Sequence, residues 1–167
     1  MGGFKCARYR SSPLRFTGAL KYAPASESAW RGLGFVFMVQ GQQTQAETAW
    51  KQATHFEQEL WRWGQIDETS GDWSSALEKY QLSTTVSSEL ADGWYYTGRV
   101  HEQLGQSELA QWHYQSGLAQ PLFLNIGKGD FYFRLGQIAA SIKPPEWKTA
   151  VSYYDQALAA RDFGGST

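Results

Sequence analysis

Cysteine is nearly absent from this 167-residue sequence, and so are long apolar runs. The single cysteine, Cys6, excludes an internal disulfide and a zinc site built from several cysteines. The longest apolar stretch covers about residues 35–39, which is too short to span a bilayer. The N-terminal segment MGGFKCARYR contains no apolar core of the kind that a secretory signal needs. We therefore expect a cytoplasmic protein without direct membrane insertion.

An excess of charge of either sign is also missing. Fifteen lysine and arginine residues face 16 aspartate and glutamate residues, for a formal net charge of −1. Nucleic acids and anionic membranes are captured chiefly by an excess of positive charge. The composition therefore argues against both as partners.

Aromatic residues, by contrast, are abundant, at 16% of the chain with eight tryptophans. Several of them recur in register with a glycine and an alanine. The alanine follows the glycine after 12 residues in the first three registers and after 14 in the last, and an aromatic residue follows four positions later. The four sets are Gly34, Ala46 and Trp50; Gly64, Ala76 and Tyr80; Gly98, Ala110 and Tyr114; and Gly136, Ala150 and Tyr154.

This register predicts pairs of closely packed helices. Small residues at the glycine and alanine positions let two helices approach, and the aromatic residues fill the space between pairs. Pro144 and Pro145 are expected to end the first helix of the last pair. Seven residues after each of the first three glycines, a second glycine stands where a left-handed residue would end the first helix. These second glycines are Gly41, Gly71 and Gly105.

The skeleton resembles the tetratricopeptide repeat (TPR), W-x2-L-G-x2-Y…A-x3-F…P, a helix–turn–helix of about 34 residues. The resemblance covers roughly residues 12–160 and implies an all-α, right-handed α-solenoid of tandem helix–turn–helix repeats. The implied organisation is a partial repeat over 1–24, which keeps only a second helix, and a single TPR-like domain over 25–167. The repeats of this domain span about 27–56, 57–90, 91–124 and 129–160.

Both ends look incomplete against the repeat pattern. Phe16, Ala19 and Pro24 occupy second-helix positions of an earlier repeat, but no matching first helix precedes them. The segment ARDFGGST follows the last second helix without a polar capping helix, which solenoid arrays normally need for solubility. We therefore expect a segment of a longer array, or a homo-oligomer that associates through its uncapped ends.

No residue pattern indicates catalysis, a metal or a cofactor. The three histidines lack a metal-binding spacing, and we expect His101 in the core and His55 and His113 on the surface. The acidic residues within 67–72 fit the end of a helix rather than a catalytic site. The segment IGKGD lacks the G-x4-G-K-[ST] pattern of a phosphate loop and is interpreted as a turn. We expect a protein that is not an enzyme.

The TPR resemblance places a binding surface on the first helices, which line a concave groove in that family. Each repeat offers this surface one arginine and at least one aromatic residue, a combination common in binding hot spots. Alternatively, the arginines pair with nearby acids and the rings pack against adjacent repeats. The implied groove residues are Arg31, Phe35, Trp61, Arg62, Gln65, Tyr95, Tyr96, Arg99, Phe133, Arg134 and Gln137.

Three functions remain open at this point. The first is a protein–protein interaction scaffold that captures an acidic or carboxylate-bearing peptide or protein segment in the arginine and aromatic groove. The second is a TPR segment of a larger enzyme, such as a glycosyltransferase or a membrane polysaccharide polymerase. The third is a self-associating assembly module.

Overall fold

The computed structural model describes residues 13–162, and this part of the chain is helical. Within these residues no strand forms, although Leu90 and Leu122 make an isolated parallel bridge. The all-α, TPR-like fold class expected from the sequence is confirmed. The helices are α1 (Pro13–Tyr22), α2 (Glu27–Val39), α3 (Gln43–Lys51), α4 (Phe56–Ser70), α5 (Trp73–Val86), α6 (Ala91–Gln103), α7 (Ser107–Leu118), α8 (Lys128–Ser141) and α9 (Trp147–Asp162).

The chain divides into two compact units, of which the first ends at Ser87 and the second begins at Ser88. The first unit contains two helical hairpins, α2 with α3 and α4 with α5, and the second contains α6 with α7 and α8 with α9. The hairpins lie close to the repeats expected from the sequence, although α4 begins one residue before the second repeat and α8–α9 extends beyond the last repeat at both ends. A single domain over 25–167 stays a prediction.

The lone helix α1 packs on α2, where the Phe16 ring lies against Gly32. This helix occupies the place of the second helix in the partial repeat expected at the start of the chain. The rest of that expected repeat, residues 1–12, lies outside the described residues.

Each hairpin closes because an aromatic ring from its second helix occupies the space that a side chain on the first-helix glycine would need. A Cβ atom on Gly98 would lie 2.6 Å from the Tyr114 ring, and one on Gly136 would lie 2.7 Å from the Tyr154 ring. Gly34 and Gly64 are covered in the same way by Trp50 and Tyr80. The close helix approach predicted from these small residues is therefore present in all four described hairpins.

The ends of the first helices also follow the sequence. Gly41, Gly71 and Gly105 have φ angles of 73°, 77° and 73°, in the left-handed region that glycine adopts without steric cost. Helix α8 ends at Ser141, before Pro144 and Pro145, as predicted.

The core of the first unit is built from large aromatic rings. Phe35 of α2 meets the Trp50 ring of α3 edge-on at a centroid distance of 5.5 Å, and Trp50 stacks on Phe56 of α4 at 5.8 Å. Trp50, Phe56 and Leu60 are fully buried. Through these edge-on and stacked contacts, the α2–α3 hairpin packs against helix α4 of the next hairpin.

In the second unit, Phe131 of α8 plays the corresponding role. Its ring lies 5.2 Å from that of Tyr95 on α6 and 6.2 Å from that of Tyr114 on α7. The segment leading into α8 is held by Asp92, a fully buried residue of α6. Its carboxylate accepts hydrogen bonds from the backbone N–H groups of Leu124, at 3.0 Å, and Asn125, at 2.7 Å. Asp92 is thus a structural residue that fixes where α8 begins.

Candidate binding surfaces on the first helices

The expected groove residues of the first unit lie on α2 and α4. On α4, Arg62 and Gln65 are exposed, and the neighbouring Ile66 is 61% exposed. A spacing of three and four residues places them on one side of the helix. Among the described side chains, Arg62 has no ion-pair partner. We call Arg62, Gln65 and Ile66 the α4 stripe.

Arg31 of α2 has a different environment. Its guanidinium donates to the Glu59 carboxylate of α4, so this arginine ties two successive first helices together. Its backbone carbonyl accepts a hydrogen bond from the Trp50 indole at 3.3 Å. Arg31 therefore has a structural partner already, as the alternative interpretation of the arginines anticipated.

Phe35 and Trp61 are core residues in the structure. Phe35 packs between the rings of Trp50 and Phe56. Trp61 is buried, and its indole N–H donates to the Ser83 hydroxyl of α5 at 3.0 Å. Neither side chain faces an open surface, because each lies between packed helices of its unit.

In the second unit, Tyr95 and Tyr96 are buried as well. Their rings meet edge-on at 5.9 Å, and Tyr95 also contacts Tyr114 at 5.7 Å. Tyr95 is covered by Phe131 because α8 packs against it. The aromatic side of the expected groove is therefore largely used for packing in this unit.

Arg134 of α8 joins a polar network that links α6, α7 and α8. Its Nε donates to the Tyr95 hydroxyl at 3.3 Å, and its Nη1 lies 3.6 Å from the Glu102 carboxylate. Its Nη1 also donates to Gln137 at 3.4 Å. Glu102 in turn accepts from the Tyr114 hydroxyl at 2.8 Å. Arg134 and Gln137 therefore lie close together, and the partners of Arg134 are all residues of the second unit.

This network changes the ionisation of its members. Burial by itself lowers the pKa of Arg134, but the hydrogen bond from its guanidinium to Tyr95 and the charge of Glu102 raise the pKa overall. Burial, followed by the charge of Glu102, raises the pKa of the Tyr114 hydroxyl far above its ordinary value. The network therefore keeps Arg134 charged and Tyr114 neutral.

The two remaining groove residues differ in exposure. Arg99 of α6 is half-buried and has interactions of its own. Phe133 of α8 is 45% exposed, and its ring centroid lies 5.9 Å from that of Tyr154 on α9. Phe133 is therefore the accessible aromatic residue of the expected set.

The histidines divide differently from the expectation. His55 is exposed and His101 is buried, as predicted. His113 was expected on the surface, but its ring packs among His101, Trp94 and Trp112, with centroid distances of 5.0, 5.8 and 4.7 Å. The His113 side chain is therefore half-buried rather than fully exposed, because the rings of Trp94 and Trp112 pack against it.

His113 is also electrostatically unusual. Its Nδ1 is buried and has no hydrogen-bond partner among the described residues. Burial, reinforced by the neighbouring His101, lowers the pKa of His113 to about 4. The ring is therefore neutral at pH 7 and behaves as a packing residue.

Metal and membrane sites find no support in the described part of the chain. Between residues 13 and 162, no group of three or more histidine, cysteine, aspartate or glutamate side chains is arranged to hold a metal ion. None of the helices in that range combines the length and apolar character needed to cross a bilayer. The acidic residues near the α4–α5 turn have structural partners, because Asp67 pairs with Lys79 and Asp72 caps α5 by accepting from the backbone of Ser75 at 3.1 Å.

Comparison with known proteins shows which solved structures have a similar arrangement of helical hairpins. Neither a family model nor a curated relative matches the sequence. Among solved structures, the crystal structure of MamA is similar with a TM-score of 0.57 and 18% identity, over 93% of this chain and 90% of that chain. MamA 41-end from Desulfovibrio magneticus RS-1 gives a TM-score of 0.55 and 17% identity, over 97% of this chain and 92% of that chain.

A third similar structure is the APC/C hetero-tetramer Cut9–Hcn1, with a TM-score of 0.53 and 19% identity. The similarity covers 89% of this chain and 29% of that chain. At these identities the likeness establishes the fold, and it agrees with the glycine and aromatic register of the four hairpins. The chain is a TPR-like repeat protein in fold.

Proposed function

We propose that this chain is a non-catalytic protein-interaction scaffold, which binds a peptide or protein segment on the first helices of its hairpins. The observation that carries the proposal is the α4 stripe, where an arginine, an amide and a large apolar side chain are exposed together on one helix face. Such a combination offers both charge-assisted hydrogen bonding and apolar contact to a partner.

The structure distinguishes the arginines of the expected groove. Arg31 is occupied by Glu59, and Arg134 is occupied by Tyr95 and Glu102. Arg62 lies one helical turn beyond Glu59 on α4. Because Glu59 pairs with Arg31, the guanidinium of Arg62 is left to bind a partner protein. Arg62 is therefore the best anchor in this set for a partner's carboxylate.

A carboxylate-bearing partner fits this chemistry. The guanidinium fork binds a carboxylate through two parallel hydrogen bonds, whereas an ammonium group acts as a point charge. Gln65 supplies a neutral donor and acceptor beside it, and Ile66 supplies apolar area. We propose that the partner segment carries an acidic residue next to an apolar one.

The similar structure of Cut9–Hcn1 supports an interaction role, because it is a hetero-tetramer and therefore a protein assembly. For this chain that role is our inference. Helix packing within the repeats accounts for the buried glycines and aromatic rings. It does not account for the exposed side chains of the α4 stripe.

A selection with a library of random peptides tests the proposal. Peptides are selected on the wild-type chain, and the affinity of each is then measured for Arg62→Ala and Arg62→Lys. We expect selected peptides to contain an acidic residue and to lose about tenfold or more in affinity for Arg62→Ala, since a charge-assisted hydrogen bond contributes about 1.5–3 kcal/mol. Arg62→Lys should recover only part of that loss.

The matched control is Lys51→Ala, which removes the same charge from an exposed position on α3 of the same unit. Its affinity for the selected peptides should equal that of the wild type. Equal binding by wild type and Arg62→Ala would show that the α4 stripe is not the binding surface. Tyr96 and Trp61 are unsuitable for this test because they are buried, and their alanine variants would lose stability.

A further inference from the structure

The surface of this chain carries the same combination of side chains that the α4 stripe is proposed to bind. Glu108 and Leu109 are adjacent and exposed at the start of α7, and the exposed Trp112 follows one helical turn after Glu108. Leu109 is 48% exposed and Trp112 is 54% exposed. A spacing of one and four residues places all three on one side of the helix. We call Glu108, Leu109 and Trp112 the α7 patch.

The repeat does not require apolar residues in the α7 patch. Leu109 and Trp112 lie one residue before and two residues after the repeat alanine Ala110, and the same positions are polar in every other described hairpin. Large apolar side chains that are exposed where the repeat is otherwise polar indicate a contact surface. The counterparts of Leu109 are Gln45, Ser75 and Thr149, and those of Trp112 are Thr48, Glu78 and Ser152.

The Trp112 ring is supported from the side by its neighbours. Trp94 and His113 meet it at interplanar angles of 65° and 81°, with centroid distances of 5.7 and 4.7 Å. Neither ring lies flat on Trp112, and more than half of this side chain stays exposed. Trp112 therefore presents a positioned apolar surface, which loses little side-chain freedom when a partner covers it.

The α7 patch and the α4 stripe match in charge and in spacing. In the α4 stripe an arginine is followed four residues later by an exposed apolar residue, Ile66, and in the α7 patch a glutamate is followed four residues later by Trp112. Four residues correspond to about 6 Å along each helix. When the two helices lie side by side in the same direction, Arg62 meets Glu108 and Ile66 meets Trp112.

We propose that the partner of the α4 stripe is a second copy of this chain. Arg62 of one copy pairs with Glu108 of another, and Ile66 packs against Leu109 and Trp112. Among the described side chains, neither Arg62 nor Glu108 has an ion-pair partner within its own chain. The guanidinium fork binds both carboxylate oxygens, and the apolar side chains beside this pair exclude water from it. This inference rests on the proposed function, because it names the occupant of the same stripe.

One other place among the described residues has an exposed acid directly before an exposed apolar residue. It is formed by Glu146 and Trp147, where α9 begins. Four residues after Glu146 stands Ala150, which is buried. No exposed apolar side chain therefore lies one turn beyond this acid to meet Ile66. The spacing favours the α7 patch as the surface that the second copy presents.

Sedimentation velocity over a range of protein concentrations tests the proposal. We expect the wild-type chain to self-associate in the micromolar range. Arg62→Glu and Glu108→Arg each bring like charges together, so each should weaken self-association at least about tenfold. An equimolar mixture of these two variants should associate again, because the two introduced charges are opposite and the native Arg62 and Glu108 of the two chains still pair. Leu109→Gln, which introduces the residue found at the same position of α3, should weaken self-association about fivefold.

Lys51→Glu and Glu146→Arg are the matched controls, because each reverses one charge at an exposed position outside the α4 stripe and the α7 patch. Both should self-associate as the wild type does, and circular dichroism verifies that every variant is folded. The proposal is overturned if the two single variants associate as well as these controls, if their mixture does not associate, or if Glu146→Arg weakens association in place of Glu108→Arg.

The experiment also separates this inference from the proposed function. If the wild type stays monomeric while the selected peptides still require Arg62, a second copy is not the partner, and the α4 stripe remains the binding surface of a scaffold. If neither the peptides nor a second copy requires Arg62, both proposals are wrong. Self-association that requires Arg62 and Glu108 together, and returns in the mixture of the two variants, supports both.

Discussion

The α6–α7 and α8–α9 hairpins share one register, yet the first is covered by another helix and the second is open. Tyr95 and Phe133 hold the same repeat position, and each packs on the tyrosine of its second helix. Tyr95 is 8% exposed because Phe131 lies against it, whereas Phe133 is 45% exposed. Exposure at this position is therefore set by the next helix, and the residue type alone does not decide it.

The largest expected difference between the hairpins follows from truncating these two rings. Tyr95→Ala removes a buried ring that contacts Phe131 and Tyr114, so we expect the free energy of unfolding to fall by about 3–5 kcal/mol. Phe133→Ala removes a half-exposed ring, and we expect a loss of about 1 kcal/mol or less. Urea unfolding followed by circular dichroism measures both values.

A control separates ring packing from hydrogen bonding at Tyr95. Tyr95→Phe keeps the ring and removes the hydroxyl that accepts from Arg134, so its cost should be only about 1 kcal/mol. Similar losses for Tyr95→Ala and Phe133→Ala would contradict the comparison, since they would mean that the two rings are equally covered.

A smaller difference is expected at the first-helix glycines. Gly98→Ala would place its Cβ atom against the fully buried Tyr114 ring, which has no room to move, and should lower stability by about 1–3 kcal/mol. In Gly136→Ala the half-buried Tyr154 ring can shift toward solvent, and alanine is a better helix former by about 1 kcal/mol. The net change there should be within about 0.5 kcal/mol of zero.

Urea unfolding also measures the stabilities of Gly98→Ala and Gly136→Ala. Gly105→Ala serves as a reference for the cost of backbone strain at a positive φ angle. Gly105 has open space around it but a φ angle of 73°, so its alanine variant reports backbone strain without a steric clash. If Gly136→Ala proved as costly as Gly98→Ala, the Tyr154 ring would be held as firmly as Tyr114, and the α8–α9 hairpin could not be regarded as open.

The sequence alone predicted the hairpins because their requirements are local. A glycine that faces an aromatic ring, and a glycine with positive φ at a helix end, each leave a mark at a fixed spacing. Gly98 with Tyr114, and Gly105 seven residues after Gly98, are examples that the structure confirms. Such marks indicate which helices pair, because the glycine and the ring that covers it lie on the two helices of one hairpin.

The binding surface was harder to predict because it depends on contacts between repeats. Tyr95 and Phe133 have the same register, and only the position of α8 distinguishes the buried ring from the exposed one. Asp92 lies on the first helix α6, yet it is fully buried and accepts hydrogen bonds from the backbone of the segment before α8. The recurrence of an acid at the same register, Asp130 in α8, was a signal that this position has a structural role.

The smallest expected difference concerns acid stability. His113 on α7 corresponds to Tyr153 on α9, where a tyrosine packs on Tyr132 in place of the histidine that packs on Trp94. The pKa of His113 is about 4 in the folded protein, compared with an ordinary value of 6.5. Between these values the unfolded chain binds a proton that the folded one does not, so the neutral ring's contribution is complete above pH 6.5 and is lost as the pH falls.

Replacing the histidine by its counterpart, in His113→Tyr, should remove this part of the acid sensitivity. For the wild type we expect the free energy of unfolding to fall between pH 7.5 and pH 5 by about 1 kcal/mol more than for His113→Tyr, a value reduced for the partial exposure of the ring. His55→Asn is the control, because His55 is exposed and asparagine tolerates its φ angle of 59°. An equal fall in the wild type and His113→Tyr would show that His113 is readily protonated where it stands, and that its packing among Trp94, Trp112 and His101 does not exclude a proton.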